Sequence, residues 1–316
     1  MGTSAEVLQL FTGLVLALVG ATLAASALRR WGKQTGRRAI IVQTLFARIN
    51  AWWAMVVALS LAGLAGRLGI VLLFAIISFA ALREFLTLTA KRRADHWMMM
   101  FAFFAALPLQ YLLVYIGWVG LFTIFIPVYA FLFLPVLAAM RGDTSGFLSR
   151  VAETQWALML CIFAASHVPA LLWLDIPGFA GKQILLIAWL VIVVQAADIA
   201  HFVTPRLMGR TRIAPKVHHS RSWEGFLGAL GTGTVVGTVL AWITPFAPWQ
   251  AALLAIAVSV TGYAGGMVMS AIKRDKGVAD WGHLIPGQGG FIDRLDSAVF
   301  AAPVLFHLVR YFFEGA

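Results

Sequence analysis

Between Ser270 and Asp296 an otherwise apolar chain carries the carboxylates Asp275, Asp280, Asp293 and Asp296 beside the cations Lys273, Arg274, Lys276 and Arg294. Gly282, Gly287, Gly289 and Gly290 are interspersed among them. Carboxylates can hold a hard cation through oxygen ligands, and basic side chains beside them can neutralise phosphates. Glycine lets the backbone approach a ligand closely and take turns that other residues resist. Together these residue types suit a metal–phosphate site at a membrane surface.

A second polar stretch runs from Asp198 to Gly225. Ser222 is placed to cap a helix that Glu224 opens, and a helix N-terminus favours an anion through its free N–H groups. Arg221 and Lys216 would add charge to a triphosphate there. The plainer alternative is a capped helix whose basic residues meet anionic headgroups. Asp198 lies near the end of an apolar run, where an acid is costly and usually faces a polar cavity; simple emergence at the interface is the alternative. His201, His218 and His219 lack Cys or acidic partners at zinc-site spacing, which reads as surface-loop histidines. Arg83 and Glu84 could pair with each other, and no chemistry is assigned to them.

The elements that must position these residues are membrane helices. The chain has 316 residues, 61% hydrophobic and 12% charged, with mean hydropathy +0.88. A soluble domain of this size could not hide so much apolar surface, so the expected class is an all-α, polytopic membrane protein. A span needs ~20 apolar residues, and about ten candidates occur: 7–27, 50–66, 69–89, 97–115, 118–140, 153–174, 183–204, 224–244, 249–271 and 298–313. The second is short and contains Gly63 and Gly66, which suggests a half-inserted segment or a re-entrant pair with the third. The first run lacks the basic start of a cleavable signal. Trp52, Trp53, Trp97, Trp118, Trp173 and Trp249 fit interfacial belts. Cys161 is the single cysteine, so no intramolecular disulfide is possible.

Net charge +11 could indicate nucleic acid, but the charges sit in short loops, where membrane orientation and anionic lipid explain them. If the loop after the first span is cytoplasmic, alternate loops collect nearly all the Lys and Arg, and both motif stretches face the cytoplasm. The organisation expected is N-terminal membrane helices over 1–150 and a catalytic membrane part over 151–316, with motif loops 198–225 and 270–296.

The stretch 270–296 resembles the signature of the CDP-diglyceride synthases (phosphatidate cytidylyltransferases), S-x-x-K-R-x4-K-D followed by P-G-H-G-G-x-x-D-R-x-D. Ser270, Lys273, Arg274, Asp280, Pro286, Gly287, Gly289, Gly290, Asp293, Arg294 and Asp296 match it, about eleven of thirteen fixed positions. Ala279 replaces a Lys and Gln288 a His. The earlier stretch is similar to the same family at Gly209, Arg210, Ala214, Pro215, Lys216, Val217, Ser222, Trp223, Glu224 and Gly225, with Arg221 standing for a Lys. Two acids that the family often carries just before Ser270 are here Gly266 and Met269.

The resemblance implies transfer of CMP from CTP to phosphatidate, giving CDP-diacylglycerol and pyrophosphate. It implies Mg²⁺ on Asp280 and Asp293 with Asp296 supporting and Asp198 a further ligand, and leaves room for a second, monovalent cation. Lys273, Arg274 and Arg294 would hold phosphates. Lys216, Arg221, Ser222 and Trp223 would lie on the nucleotide side, with Ser270, Gly289 and Gly290 lining the substrate site and His283 able to hydrogen-bond a phosphate. A groove open to the bilayer, a homodimer and a bacterial inner-membrane location follow from the same resemblance. The departures leave open another lipid phosphate, or an inactive paralogue that binds lipid or nucleotide. A transporter should show broken helices in both halves, whereas the charged motifs are confined to the C-terminal half. A scaffold would need neither the carboxylates nor the glycines.

Overall fold

The computed structural model describes residues 5–31, 37–89, 92–208, 211–213, 221–282 and 289–314. Regular structure among them is helical apart from isolated bridge positions, among them an antiparallel bridge between Arg212 and Ser222. In a bilayer every backbone N–H and C=O must be satisfied internally, and a helix does so within one segment. The order is α1 (Ala5–Trp31), α2 (Arg37–Leu64), α3 (Gly66–Thr87), α4 (His96–Ile116), α5 (Val119–Ala139), α6 (Phe147–Trp173), α7 (Ile184–Met208), α8 (Trp223–Ile243), α9 (Pro248–Asp275), α10 (Ile292–Leu295) and α11 (Ala298–Phe313). Among the described residues, eight of these helices are long and apolar enough to cross a membrane, and Ile49–Leu64 of α2 and Ala298–Phe313 are shorter apolar helices. The chain is therefore an all-α polytopic membrane protein.

The short apolar segment expected at 50–66 is present as Ile49–Leu64, but it is the second half of a longer α2. α2 is one helix of 28 residues beginning at Arg37, and Ala65 alone separates it from α3. Gly66, at φ +71°, makes so tight a reversal possible, since positive φ costs other residues a clash with their own Cβ. Trp53 of α2 donates to Thr22 of α1 at 3.2 Å, and Trp52 donates to Gln195 of α7 at 3.1 Å. α4, α5 and α6 each contain a π-helical segment, at Ala102–Ala106, Phe125–Ala130 and Leu158–Ala164.

The C-terminal helices pack most closely. α8 runs between α7 and α9, and small residues let their backbones approach. A Cβ on Gly237 would lie 2.5 Å from the Ala255 Cβ and 3.0 Å from the Trp189 ring. Trp189, fully buried on α7, donates its indole N–H to the Gly237 carbonyl at 3.0 Å.

At one end of the bundle two loops are tied by charge. Arg150, at the start of α6, lies 3.2 Å from Asp95 and 2.8 Å from Asp143. Its Nη2 also donates to the Asp143 carbonyl at 2.8 Å. The Arg150 guanidinium, hydrogen-bonded to the Asp143 carboxylate, holds that carboxyl below its ordinary range, helped by the Ser145 N–H. The C-terminal ends of α3, α7 and α9 and the N-terminal ends of α8 and α11 hold the motif residues.

Candidate active site

The α9–α11 connection is organised by Asp293, on the one-turn helix α10. Its Oδ1 accepts from Lys273 Nζ at 2.8 Å. Its Oδ2 accepts the backbone N–H of Trp281 at 3.0 Å and of Gly290 at 2.9 Å. Gly289, at φ +82°, passes so close that a Cβ there would lie 2.5 Å from Asp293 Oδ2. The described parts of this connection thus close on one carboxylate, and at Gly289 that needs both a positive φ and an absent side chain. Trp281 is buried and stacks on Phe85 of α3, ring centroids 5.0 Å apart.

A second pair of acids meets beside this loop. Ser297 Oγ donates to Asp198 Oδ1 at 2.9 Å and lies 3.5 Å from Asp296 Oδ1, which also accepts the Ser297 N–H at 2.8 Å. Burial pushes the Asp296 carboxyl up, while the charges of Arg221 and Lys273 and the Ser297 N–H pull it down. Burial lowers the affinity of Arg294 for its proton, and the carboxylates of Asp293, Asp296 and Asp198 oppose that. A small cavity lined by Asp198, Ser259, Gly262, Tyr263 and Ser297 lies alongside.

Arg221 is buried immediately before α8. Its guanidinium lies over the Tyr263 ring, 4.6 Å from the centroid, and Nη1 donates to the Tyr263 carbonyl at 3.4 Å. Ser222, extended at φ −139° and ψ 159°, caps α8 by accepting the Gly225 N–H at 3.1 Å. The helix opens at Trp223, one residue before the start expected at Glu224. Glu224 instead ties down the entering chain, accepting the Thr211 N–H at 3.0 and 2.9 Å on its two oxygens.

The remaining residues are spread more widely. Ser270 is buried and donates to the Gly266 carbonyl of its own helix at 2.6 Å. Trp223 is exposed and meets Phe226 edge-on. Arg274 and Asp280 are exposed at the end of α9 and just beyond it. The structure therefore gathers Asp198, Arg221, Lys273, Asp293, Arg294 and Asp296, and leaves Asp280 at the surface. Lys216, His218, His219, His283 and the motif positions Gly209, Arg210, Ala214, Pro215, Val217, Pro286, Gly287 and Gln288 lie outside the described residues. His201 is not a loop residue: it is on α7, half-buried and edge-on to Tyr263 at 5.2 Å.

Glu84 is the residue that sequence reading left without a part. It is buried near the end of α3, and its Oε1 accepts the Phe291 N–H at 3.0 Å while Oε2 accepts the Ile292 N–H at 3.1 Å. A Cβ on Gly282 would lie 2.9 Å from Glu84 Oε1, and one on Gly290 would lie 2.6 Å from its Cδ. The one signal for this was an acid within an apolar span, a costly placement that calls for a partner.

The donor set can be weighed against Mg²⁺, which keeps several waters and takes one or two carboxylates plus substrate phosphates. Among the described residues no group of three or more His, Cys, Asp or Glu side chains could hold a metal ion by itself. Asp198 and Asp296, bridged by Ser297, form a pair that suits an ion completed by water and phosphate oxygens. Asp293 fits less well, because both of its oxygens already hold Lys273 and the loop backbone.

Residues 46–312 match the model of the cytidylyltransferase family, from within α2 almost to the end of α11. The chain belongs to that family. This cytidylyltransferase-family member is 37% identical over 265 residues to the uncharacterized protein YnbB of Escherichia coli K12, covering 84% of this chain and 87% of YnbB. It is also 37% identical over 118 residues to a phosphatidate cytidylyltransferase of Synechocystis, covering 37% of this chain and 40% of that one. The similarity to the phosphatidate cytidylyltransferase of Mycobacterium leprae is 38% over 116 residues, 36% of this chain and 37% of the relative. The family is thus shared over most of the chain, whereas these two phosphatidate cytidylyltransferases match it over only 40% and 37% of their own length.

Proposed function

We propose that this protein is a CTP-dependent cytidylyltransferase acting on a lipid phosphate, with phosphatidate as substrate and CDP-diacylglycerol and pyrophosphate as products. The observation that carries this reading is the meeting of Asp198 and Asp296 across Ser297, within the field of Arg221, Lys273 and Arg294. Carboxylates and cations in one half-buried cluster suit a reaction between two polyanions.

In that reaction an oxygen of the lipid phosphate forms a bond to the α-phosphorus of CTP. The bond from that phosphorus to the bridging oxygen breaks, and pyrophosphate leaves with the electron pair. A phosphate is already a nucleophile near neutral pH, so no strong base is required. The difficulty is charge repulsion, and catalysis is mostly positioning and electrostatic stabilisation. Lys273, oriented by Asp293, and Arg221 and Arg294 would bind phosphate oxygens and hold the attacking and leaving groups in line. A magnesium ion on Asp198 and Asp296 would add Lewis-acid stabilisation of the phosphate charge. A homodimer in a bacterial inner membrane, with the motif loops in the cytoplasm, belongs to the same reading.

Gly266 and Met269, where the resembled family often carries acids, favour a second reading: cytidylyl transfer to a different lipid phosphate. Purified protein in detergent, given CTP, Mg²⁺ and phosphatidate, is expected to release pyrophosphate and form CDP-diacylglycerol, and Asp296→Asn to do neither. Turnover with another lipid phosphate alone would select the second reading. CTP binding without turnover on any lipid phosphate would overturn both.

A further inference from the structure

We infer that Glu84 is a positioning residue for the site, holding the α9–α11 loop in its working shape from the other half of the chain. The inference rests on the cytidylyltransferase reading only for what the loop does, not for the contact itself.

Two hydrogen bonds and two close glycine approaches meet at this side chain. Its two oxygens each accept a backbone N–H, from Phe291 and from Ile292 at the opening of α10. Gly282 and Gly290 flank it so closely that neither position has room for a Cβ while the carboxylate is in place. Two glycines of the loop therefore have a steric reason that involves no ligand. Asp293 follows directly in the same turn and gathers Lys273, Trp281 and Gly290. The order of dependence is thus Glu84 to the loop backbone, backbone to Asp293, and Asp293 to Lys273.

The chemistry of the anchor explains the choice of residue. Backbone N–H groups in a buried turn need acceptors, and leaving them unmet is costly. A carboxylate supplied by the protein occupies those donors in advance and preorganises the loop. Glutamine can offer an acceptor to one N–H only, since its NH₂ would face the other. Aspartate is one methylene shorter and falls short from α3.

Hydrogen exchange and turnover, measured together on full-length protein in detergent, test this. In Glu84→Gln and Glu84→Ala the amides of Phe291 and Ile292 should exchange about tenfold faster or more, the scale of losing charge-assisted hydrogen bonds. Cytidylyl transfer should fall by a similar factor through kcat, and added formate, which can enter the vacated space, should restore part of it in Glu84→Ala. Rescue of kcat measured well below the thermal midpoint of the variant, where the protein is fully folded with or without formate, separates positioning from bulk stability. Gly290→Ala should be damaging in the parent and much less so in the Glu84→Ala background. Unchanged exchange at Phe291 and Ile292, or equal damage from Gly290→Ala in both backgrounds, would overturn the anchor. If the parent transfers no cytidylyl group, the functional reading fails, and exchange together with the Gly290 comparison decides the anchor alone.

Discussion

The guanidinium of Arg221 fills the space in which a side chain at Gly266 would begin. A Cβ on Gly266 would overlap Arg221 Nη2 and lie 2.9 Å from its Cζ. The absence of a side chain at Gly266 therefore leaves room for the buried guanidinium of Arg221. A planar guanidinium presents several fixed donors where a lysine presents a point charge. Gly266→Ala should displace Arg221 and raise the KM for the phosphate substrate by about 10- to 100-fold, corresponding to ~1.5–3 kcal/mol for hydrogen bonds to a charged group. Arg221→Lys in the Gly266→Ala protein should bind better than Gly266→Ala alone, because the shorter headgroup makes room. A Gly266→Ala protein with unaltered KM would show that Arg221 lies outside the phosphate path.

The carboxylates divide into two kinds of dependence. Asp198→Asn and Asp296→Asn are expected to raise the Mg²⁺ concentration needed for half-maximal turnover. Asp293→Asn is expected to lower turnover without moving that midpoint, because its oxygens hold Lys273 and the loop. Chelation should abolish turnover in the parent. Titration of the three variants with Mg²⁺ separates the roles, and a shifted midpoint for Asp293→Asn would make it a metal ligand after all.

Arg150 should matter for stability rather than chemistry. Its removal leaves Asp95, only 1% exposed at its side chain, buried without its cation. Loss of one partner of a buried pair costs about 3–5 kcal/mol, so Arg150→Ala should lower the thermal midpoint in detergent by several degrees.

Acid should loosen the same clamp. The folded Asp143 carboxyl titrates below its unfolded value. Its contribution is therefore fully present above the ordinary carboxylate range and is lost as pH falls through the lowered folded value. Asp143→Asn should flatten the acid limb of a thermal-midpoint-against-pH profile, and an unchanged limb would remove Asp143 from the account.

The close approach of α8 gives a packing prediction. Gly237→Val should press on Ala255 and Trp189 and cost about 1–3 kcal/mol, read as a lower thermal midpoint.

The fold class was legible in the sequence because a bilayer permits few spanning structures, and apolar runs of spanning length leave little choice. The cap at Ser222 was legible for a similar reason, since its partner lies three residues away. What the sequence concealed was long-range. Asp198 meets Asp296 through Ser297, 99 residues further along the chain, and no local pattern announces Ser297. The start of α2 at Arg37 was hidden because Arg37, Arg38, Gln43, Thr44, Arg48 and Asn50 break its first turns into apolar runs too short to signal a span. His201 reads as a loop residue in company with His218 and His219 in the polar stretch after Asp198, although the expected span 183–204 contains it, and the helix that carries it continues to Met208. Glu84 stood next to Arg83, and that adjacency suggested a local ion pair in place of its contact with Phe291.

The Glu84 contact also sets a clock on biogenesis. Phe291 follows Glu84 by 207 residues, and at ribosomal speeds of ~5–20 residues per second that separation takes about 10–40 s to synthesise. During that interval α3 must sit in or beside the bilayer with an acidic residue whose final partners do not yet exist. Until the last loop arrives the nascent chain must therefore hold that carboxyl either hydrated at the membrane edge or protonated.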